Sequence, residues 1–362
     1  MKVLMLSLDS SILDNNSVSA SRMRDYGSIC DELHIVVLGK GGKKLELSEN
    51  VFIYPTEKNR LSALLKTKNI GKKILSENNN WIITCQDPFE VGFIGWQLSK
   101  KFKCGLEVQL HGDFYSNQYW RKERLLNRFR WYLGKFILKR ANLVRVVSER
   151  IKKSIEGFTK AKIFENPILS ELKNFEIEKK EDGIFTILNV GNLVPVKNHE
   201  QLIEVFAEIK KELPNTKLII AGDGPRKKEL QATSYKLQAN IIFVGHKEDL
   251  ANLYKSADIL VHISLYEGWG RVLIEAASYE LPIIMTDVGL AGEVIKNEES
   301  GLVVPVNDKK ALKDAILRLA KDKDLQKKLA QGAKKEVEKI TQTKQEYLEK
   351  IKESWQNALD QN

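Results

Sequence analysis

Cysteine is scarce: Cys30, Cys85 and Cys104 are the three in 362 residues, and no CxxC spacing occurs. An odd, scattered set argues against a disulfide framework or a zinc site and suits a reducing cytoplasm. Long apolar runs are missing as well. None approaches the eighteen or so residues of a membrane-spanning helix, so a soluble chain is expected. The opening Met1-Lys2-Val3-Leu4-Met5-Leu6-Ser7-Leu8-Asp9 is too short in its apolar run for a signal peptide and reads as a first buried strand. No Asp-x-Asp motif of the metal-holding kind is evident, so chemistry without metal or cofactor is expected. No RNA- or DNA-binding signature accompanies the positive charge, and nucleic acid is not an expected partner.

What is present divides in two. The net charge is +10, but residues 1–180 carry +12 and residues 181–362 carry −2. A basic half beside a near-neutral one suggests two domains with different partners. The length fits two domains, and 43% apolar residues can fill a core in each.

In the first half, strand-like runs recur at 3–8, 33–38, 51–54, 81–85, 106–110 and 143–147, with helical patterns such as 61–75 and 89–102 between them. Alternation of this kind means parallel βαβ units, with ligands at the carboxyl ends of the strands. One such end is His111-Gly112-Asp113, where a neutral imidazole can hydrogen-bond a hydroxyl. Residues 119–140 then carry eight Lys/Arg (121, 122, 124, 128, 130, 135, 139 and 140) against the single Glu123, interleaved with Trp120, Phe129, Trp131, Tyr132 and Phe136. A basic aromatic helix can lie on an anionic membrane, at about 1 kcal/mol per basic residue. The plainer expectation is an amphipathic helix with its aromatics on the sheet and its charges in water.

The first pattern stops near Asn166-Pro167, and a new βα series follows. Expected boundaries are 1–170 for an N-terminal domain, 171–183 for a linker, 184–340 for a C-terminal domain and 341–362 for a last surface helix. The second series has a glycine in every loop at one sheet edge: Gly191-Asn192, Gly222-Asp223-Gly224, Gly245-His246, Gly268 to Gly270 and Gly289. Together they make a rim of exposed amides. Lys197, just before a helix start, can reach a phosphate as a point charge.

The centre of the chain is Ser264-Leu265-Tyr266-Glu267-Gly268-Trp269-Gly270-Arg271-Val272-Leu273-Ile274-Glu275. Glu267 opens a glycine-flanked turn and Glu275 lies two helical turns on. Eight helical residues span about 800°, which leaves the two acids within roughly 80° of each other. Between them a helix N-terminus offers unpaired amides, a place for an anion. Two acids for hydroxyls beside a phosphate site describe a nucleotide-sugar.

These motifs, with Gly191-Asn192-Leu193-Val194-Pro195-Val196-Lys197-Asn198, Ala221-Gly222-Asp223-Gly224-Pro225, Ser256-Ala257-Asp258, Asp287-Val288-Gly289…Glu293 and Ser300-Gly301-Leu302-Val303-Val304-Pro305, resemble the family 4 retaining glycosyltransferases. The resemblance is dense over 184–306 and thinner before it. It implies the α/β GT-B architecture: two Rossmann-like doubly wound parallel-sheet domains facing across a cleft, with the last helix, 341–362, crossing back to pack on the N-terminal domain. It further implies a nucleotide-sugar donor in the C-terminal domain, UDP-linked in the commonest case, and a glycan or lipid-linked acceptor held mainly by the N-terminal one. By the family pattern Glu267 would contact the transferred sugar and Glu275 the ribose. Lys197 would neutralise the diphosphate, amides of Gly270, Arg271 and Val272 beside Trp269 would hold sugar or phosphate, and the Gly245-His246 loop would lie near the base. His111 would reach the sugar from the other domain.

Two departures stand out. Asn192 occupies a position where the family usually has Arg, and Arg271 is the candidate to compensate. The family's glycine-rich first loop is replaced by residues 9–17, leaving Ser10, Ser11 and Asp113 as N-domain candidates. A sugar-nucleotide epimerase or phosphorylase of the same fold, or a degenerate nucleotide-sugar-binding protein, are the alternatives. The expected location is the cytoplasm, with the inner membrane face as a docking surface.

Overall fold

Aliphatic and β-branched runs become strands buried on both faces, as parallel sheets covered by helices require. The computed structural model describes residues 1–39, 42–57, 59–76, 80–170, 183–239 and 241–361. The expected linker 171–183 lies outside these apart from Gly183. The chain forms two compact units, residues 1–167 with 342–362 and residues 168–341.

The first unit runs β1 (Lys2–Ser7), α1 (Val18–Gly27), β2 (Glu32–Val37), β3 (Leu45–Ser48), β4 (Val51–Pro55), α2 (Arg60–Leu75), β5 (Trp81–Cys85), α3 (Glu90–Phe102), β6 (Gly105–Leu110), α4 (Gln118–Glu123), α5 (Leu125–Leu138), β7 (Leu143–Val146), α6 (Glu149–Ile155) and β8 (Lys162–Glu165). Its sheet has the order β3-β4-β2-β1-β5-β6-β7-β8, parallel except for β3 against β4. Val3, Leu6, Ile82, Leu106 and Val108 are wholly buried.

The expected single basic helix is two. Arg124 is extended (φ −144°, ψ 144°) between α4 and α5. The break is pinned by Asn127, whose Nδ2 donates to Trp120 O at 2.8 Å.

The second unit runs β9 (Phe185–Val190), α7 (His199–Glu212), β10 (Thr216–Ala221), α8 (Lys227–Lys236), β11 (Ile242–Gly245), α9 (Ala251–Ser256), β12 (Ile259–His262), α10 (Arg271–Ser278), β13 (Ile283–Thr286), β14 (Leu302–Val304), α11 (Lys309–Lys321) and α12 (Lys323–Ile340). The sheet order is β11-β10-β9-β12-β13-β14, parallel throughout. The chain winds outward from β9 through β10 to β11, then returns to β12 and winds the other way. Loops leaving β9 and β12 therefore diverge, which opens a crevice at the carboxyl edge.

The last helix, α13 (Lys344–Asp360), belongs to the first unit. It is not the surface helix its low apolar content suggests. Tyr347, Ile351, Trp355 and Ala358, spaced 4, 4 and 3, make one stripe, and all four are buried.

Candidate active site

The two switch-point loops of the second unit are tied together by Leu265 N–H donating to Val196 O at 2.8 Å. That bond brings Lys197, after β9, against Glu267, after β12. Lys197 Nζ pairs with Glu267 Oε2. The same oxygen accepts from His262 Nε2 at 3.1 Å and from Ser264 Oγ at 3.3 Å. Ser264 is held in turn, since its carbonyl accepts from Thr286 Oγ1 at 2.7 Å. Burial raises the Glu267 pKa, but the His262 hydrogen bond and the Lys197 charge outweigh it, and the carboxyl lies well below the ordinary range. Burial lowers the pKa of His262 against the pull of Glu267. At neutral pH the crevice thus holds a carboxylate and a neutral imidazole, with the Lys197 side chain paired to the carboxylate.

Gly289 lies beneath. At φ +53° it occupies the left-handed region, and a Cβ there would stand 3.1 Å from Glu267 Cβ. Gly270 (φ +89°) caps α10 without a side-chain bond. The first amides of this eight-residue helix, those of Arg271 and Val272, have no intrahelical acceptors and face outward from its end. Glu275, one face of α10 later, accepts from Tyr254 OH at 2.9 Å and lies 3.6 Å from Arg271 Nη2.

The remaining candidates of this unit are spread around that centre. Asn192 and His246 are exposed, the Lys197 stem runs beside Gly191, and Gly245 O accepts from Gly222 N at 2.8 Å. Gly268 is buried, and so is Trp269, whose Nε1 has no partner among the described residues.

In the first unit His111 directly follows β6 and is exposed, and its Nε2 donates to Gln109 Oε1 at 2.9 Å. Surrounding protein and then the Arg145 and Arg22 charges push its pKa down, leaving it neutral at pH 7. Behind it runs a buried chain: Gln109 Nε2 donates to Thr84 Oγ1 (2.7 Å), Thr84 to Glu107 Oε1 (2.7 Å), and Ser354 of α13 to Glu107 Oε2 (2.7 Å). With its amide nitrogen spent on Thr84, Gln109 presents its oxygen to His111, so Nε2 is the ring nitrogen that carries the proton. Ser11 spends its amide and hydroxyl on Asp9 Oδ1, and Ser10 begins the short turn beside it. Asp113 is buried and caps its own loop through Ser116 N at 3.1 Å.

With this geometry in place, known proteins can be compared. Residues 170–336 match the family described as Glycosyl transferases group 1. An uncharacterized glycosyltransferase of Methanocaldococcus jannaschii is 26% identical over 87% of this chain and 86% of its own. A GalNAc-alpha-(1->4)-GalNAc-alpha-(1->3)-diNAcBac-PP-undecaprenol alpha-1,4-N-acetyl-D-galactosaminyltransferase of Campylobacter jejuni is 28% identical over 69% and 70%. Among solved structures, sucrose-phosphate synthase of Thermosynechococcus elongatus superposes with TM-score 0.80 at 20% identity over 98% of each chain. Anabaena HepE in complex with UDP and glucose does so with 0.74 at 17%, again over 98% of each. Glycosyltransferase is the class these matches support. The fold is GT-B.

For a glycosyltransferase the second-unit crevice has parts that sequence reasoning did not weigh. His262 and Ser264 are polar residues at the end of an otherwise apolar strand, and that position was the available signal. Tyr254, under Glu275, carried no signal. One Asp-x-Asp spacing does occur, Asp322-Lys323-Asp324, but it is a helix cap: Asp322 Oδ1 accepts from Leu325 N at 2.8 Å. Among the described residues no group of three or more His, Cys, Asp or Glu is placed to hold a metal ion. Nor is any helix there long and apolar enough to cross a membrane.

Proposed function

We propose that this glycosyltransferase moves a hexose or N-acetylhexosamine from a UDP-linked donor to a hydroxyl of a glycan or lipid-linked acceptor, with retention at the sugar carbon and without a metal. One observation carries the reading: an ionised carboxylate, Glu267, shares a crevice with the paired Lys197 side chain and an uncapped helix N-terminus. Support for the donor comes from HepE, crystallised with UDP and glucose. Support for a lipid-linked acceptor comes from the PP-undecaprenol in the name of the Campylobacter relative, which also fits work at the inner membrane face.

Lys197 and Glu267 neutralise one another where they pair. A bound diphosphate competes for Lys197 and for the α10 amides, which frees Glu267 to accept from the sugar hydroxyls. As the bond from the sugar carbon to the phosphate oxygen breaks, negative charge grows on the diphosphate, and Lys197 with the helix end stabilises it. The acceptor oxygen bonds to the same face of that carbon and its proton passes to the departing phosphate. Positioning and charge do this work, with no nucleophilic side chain.

The test is nucleotide release from a panel of donors. Glu267→Ala or Lys197→Ala is expected to lower turnover by on the order of 10² to 10³, the usual loss when a transition-state contact is removed. Folded variants that both turn over like the parent contradict the assignment.

A further inference from the structure

The corner between α4 and α5 exposes what soluble proteins bury. Leu125 is 84% exposed, Leu126 45%, Phe129 64% and Tyr132 70%. No other eight-residue stretch among the described residues exposes four large apolar side chains. On a helix, residues 125, 129 and 132 form one stripe (spacing 4 and 3), and it faces opposite to the buried Asn127, Gly134, Ile137 and Leu138. α5 therefore has two apolar faces: one packs on the unit and the other meets only solvent.

Cations ring the outer face. Arg121, Lys122, Arg124 and Arg128, with Leu125 and Tyr132, line a cavity of about 540 Å³. None of these four is ion-paired to a carboxylate among the described residues. By contrast Arg130, on the inner side, donates to Glu90 from Nη2 at 2.8 Å. Trp120, the buried anchor of α4, packs on Phe89 and Phe114 with ring centroids 5.2 and 4.9 Å away, so the corner is firmly seated on the loop that follows His111.

We infer that this corner docks on a bilayer containing anionic phospholipid, with the Leu125, Phe129 and Tyr132 side chains at the acyl boundary and the four cations on lipid phosphates. Charge complementarity selects that occupant. A second copy would bring four like charges against four, and an acidic protein surface would leave the apolar stripe unused. The inference deepens the lipid-linked acceptor reading and rests on it for its purpose; vesicle binding and nucleotide release are separate readouts, so each can fail alone.

Co-sedimentation of the full chain with phosphatidylcholine vesicles, with and without phosphatidylglycerol, tests it. Binding is expected only with the anionic lipid and should weaken as salt rises. Arg124→Ser with Arg128→Ser should lower the partition coefficient about 25-fold, at roughly fivefold per basic residue. Leu125→Ser with Phe129→Ser should lower it at least about tenfold at any salt, because the apolar part of the binding is unscreened. These positions are exposed, so melting temperature and nucleotide release should match the parent. Equal sedimentation with neutral and anionic vesicles overturns the inference, as do variants that bind like the parent. Self-association of the parent that the Leu125→Ser, Phe129→Ser chain has lost would assign the face to a second copy and overturn it too.

Discussion

Glu267 shows how a buried charge is kept. Desolvation alone would protonate it, yet one of its oxygens accepts from His262 and Ser264 and pairs with Lys197. His199 nearby is the opposite case. It is 1% exposed, neither ring nitrogen has a partner among the described residues, and burial, then chiefly the Lys197 charge, with Arg226 adding less, push its pKa down to about 4. An unfolded histidine titrates near ~6.5. Between those values the unfolded chain binds the extra proton, so stability falls as pH drops from about 6.5 toward 4, by up to about 1.4 kcal/mol per pH unit. From pH 7 to pH 5 the parent should lose about 2 kcal/mol more than His199→Leu, read from denaturant midpoints. Equal losses would show that His199 is not held neutral.

At the scale of elements, the site depends on close backbone approaches. Gly222 (φ +149°) lets the loop after β10 lie against Gly191 O, where a Cβ would stand 1.9 Å away. Gly289 does the same under Glu267. Gly289→Ala should cost about 1 kcal/mol of stability through its left-handed φ. By displacing Glu267 it should also lower kcat on the order of tenfold or more. A stable variant with unchanged kcat would show that Glu267 tolerates the shift. The motif glycines were legible in the sequence because they are local. Central strands such as Trp81–Cys85 were legible too, because burial on both faces leaves a continuous apolar run. Strands β3, β8 and β14 were not, being three or four residues long, and β3 and β8 are edge strands with polar positions. The division of the basic segment at Arg124 depends on an Asn127 side-chain contact that no periodicity reveals. The pairing of Lys197 with Glu267, 70 residues apart, follows from strand order, which composition cannot supply.

In the whole molecule each of the two units is built on its own sheet, and α13 completes the first of them. Trp355, Ile351 and Tyr347 bury against that unit, and burying such side chains is worth about 1.5–3 kcal/mol each. That sum is comparable to the 5–15 kcal/mol by which a typical domain is stable. A chain ending at residue 343 should therefore lose the protease resistance of its first unit and keep that of its second. Resistance of both units equal to that of the full chain would contradict this. The central claim, a donor diphosphate held by Lys197 in competition with Glu267, is tested most directly by calorimetric titration of UDP into the parent, Lys197→Ala and Glu267→Ala. The account predicts at least about tenfold weaker UDP binding by Lys197→Ala, as loss of a charged contact entails. It predicts undiminished UDP binding by Glu267→Ala, in which the lysine has no competitor. UDP binding unaffected by loss of Lys197, or weakened by loss of Glu267, would contradict it.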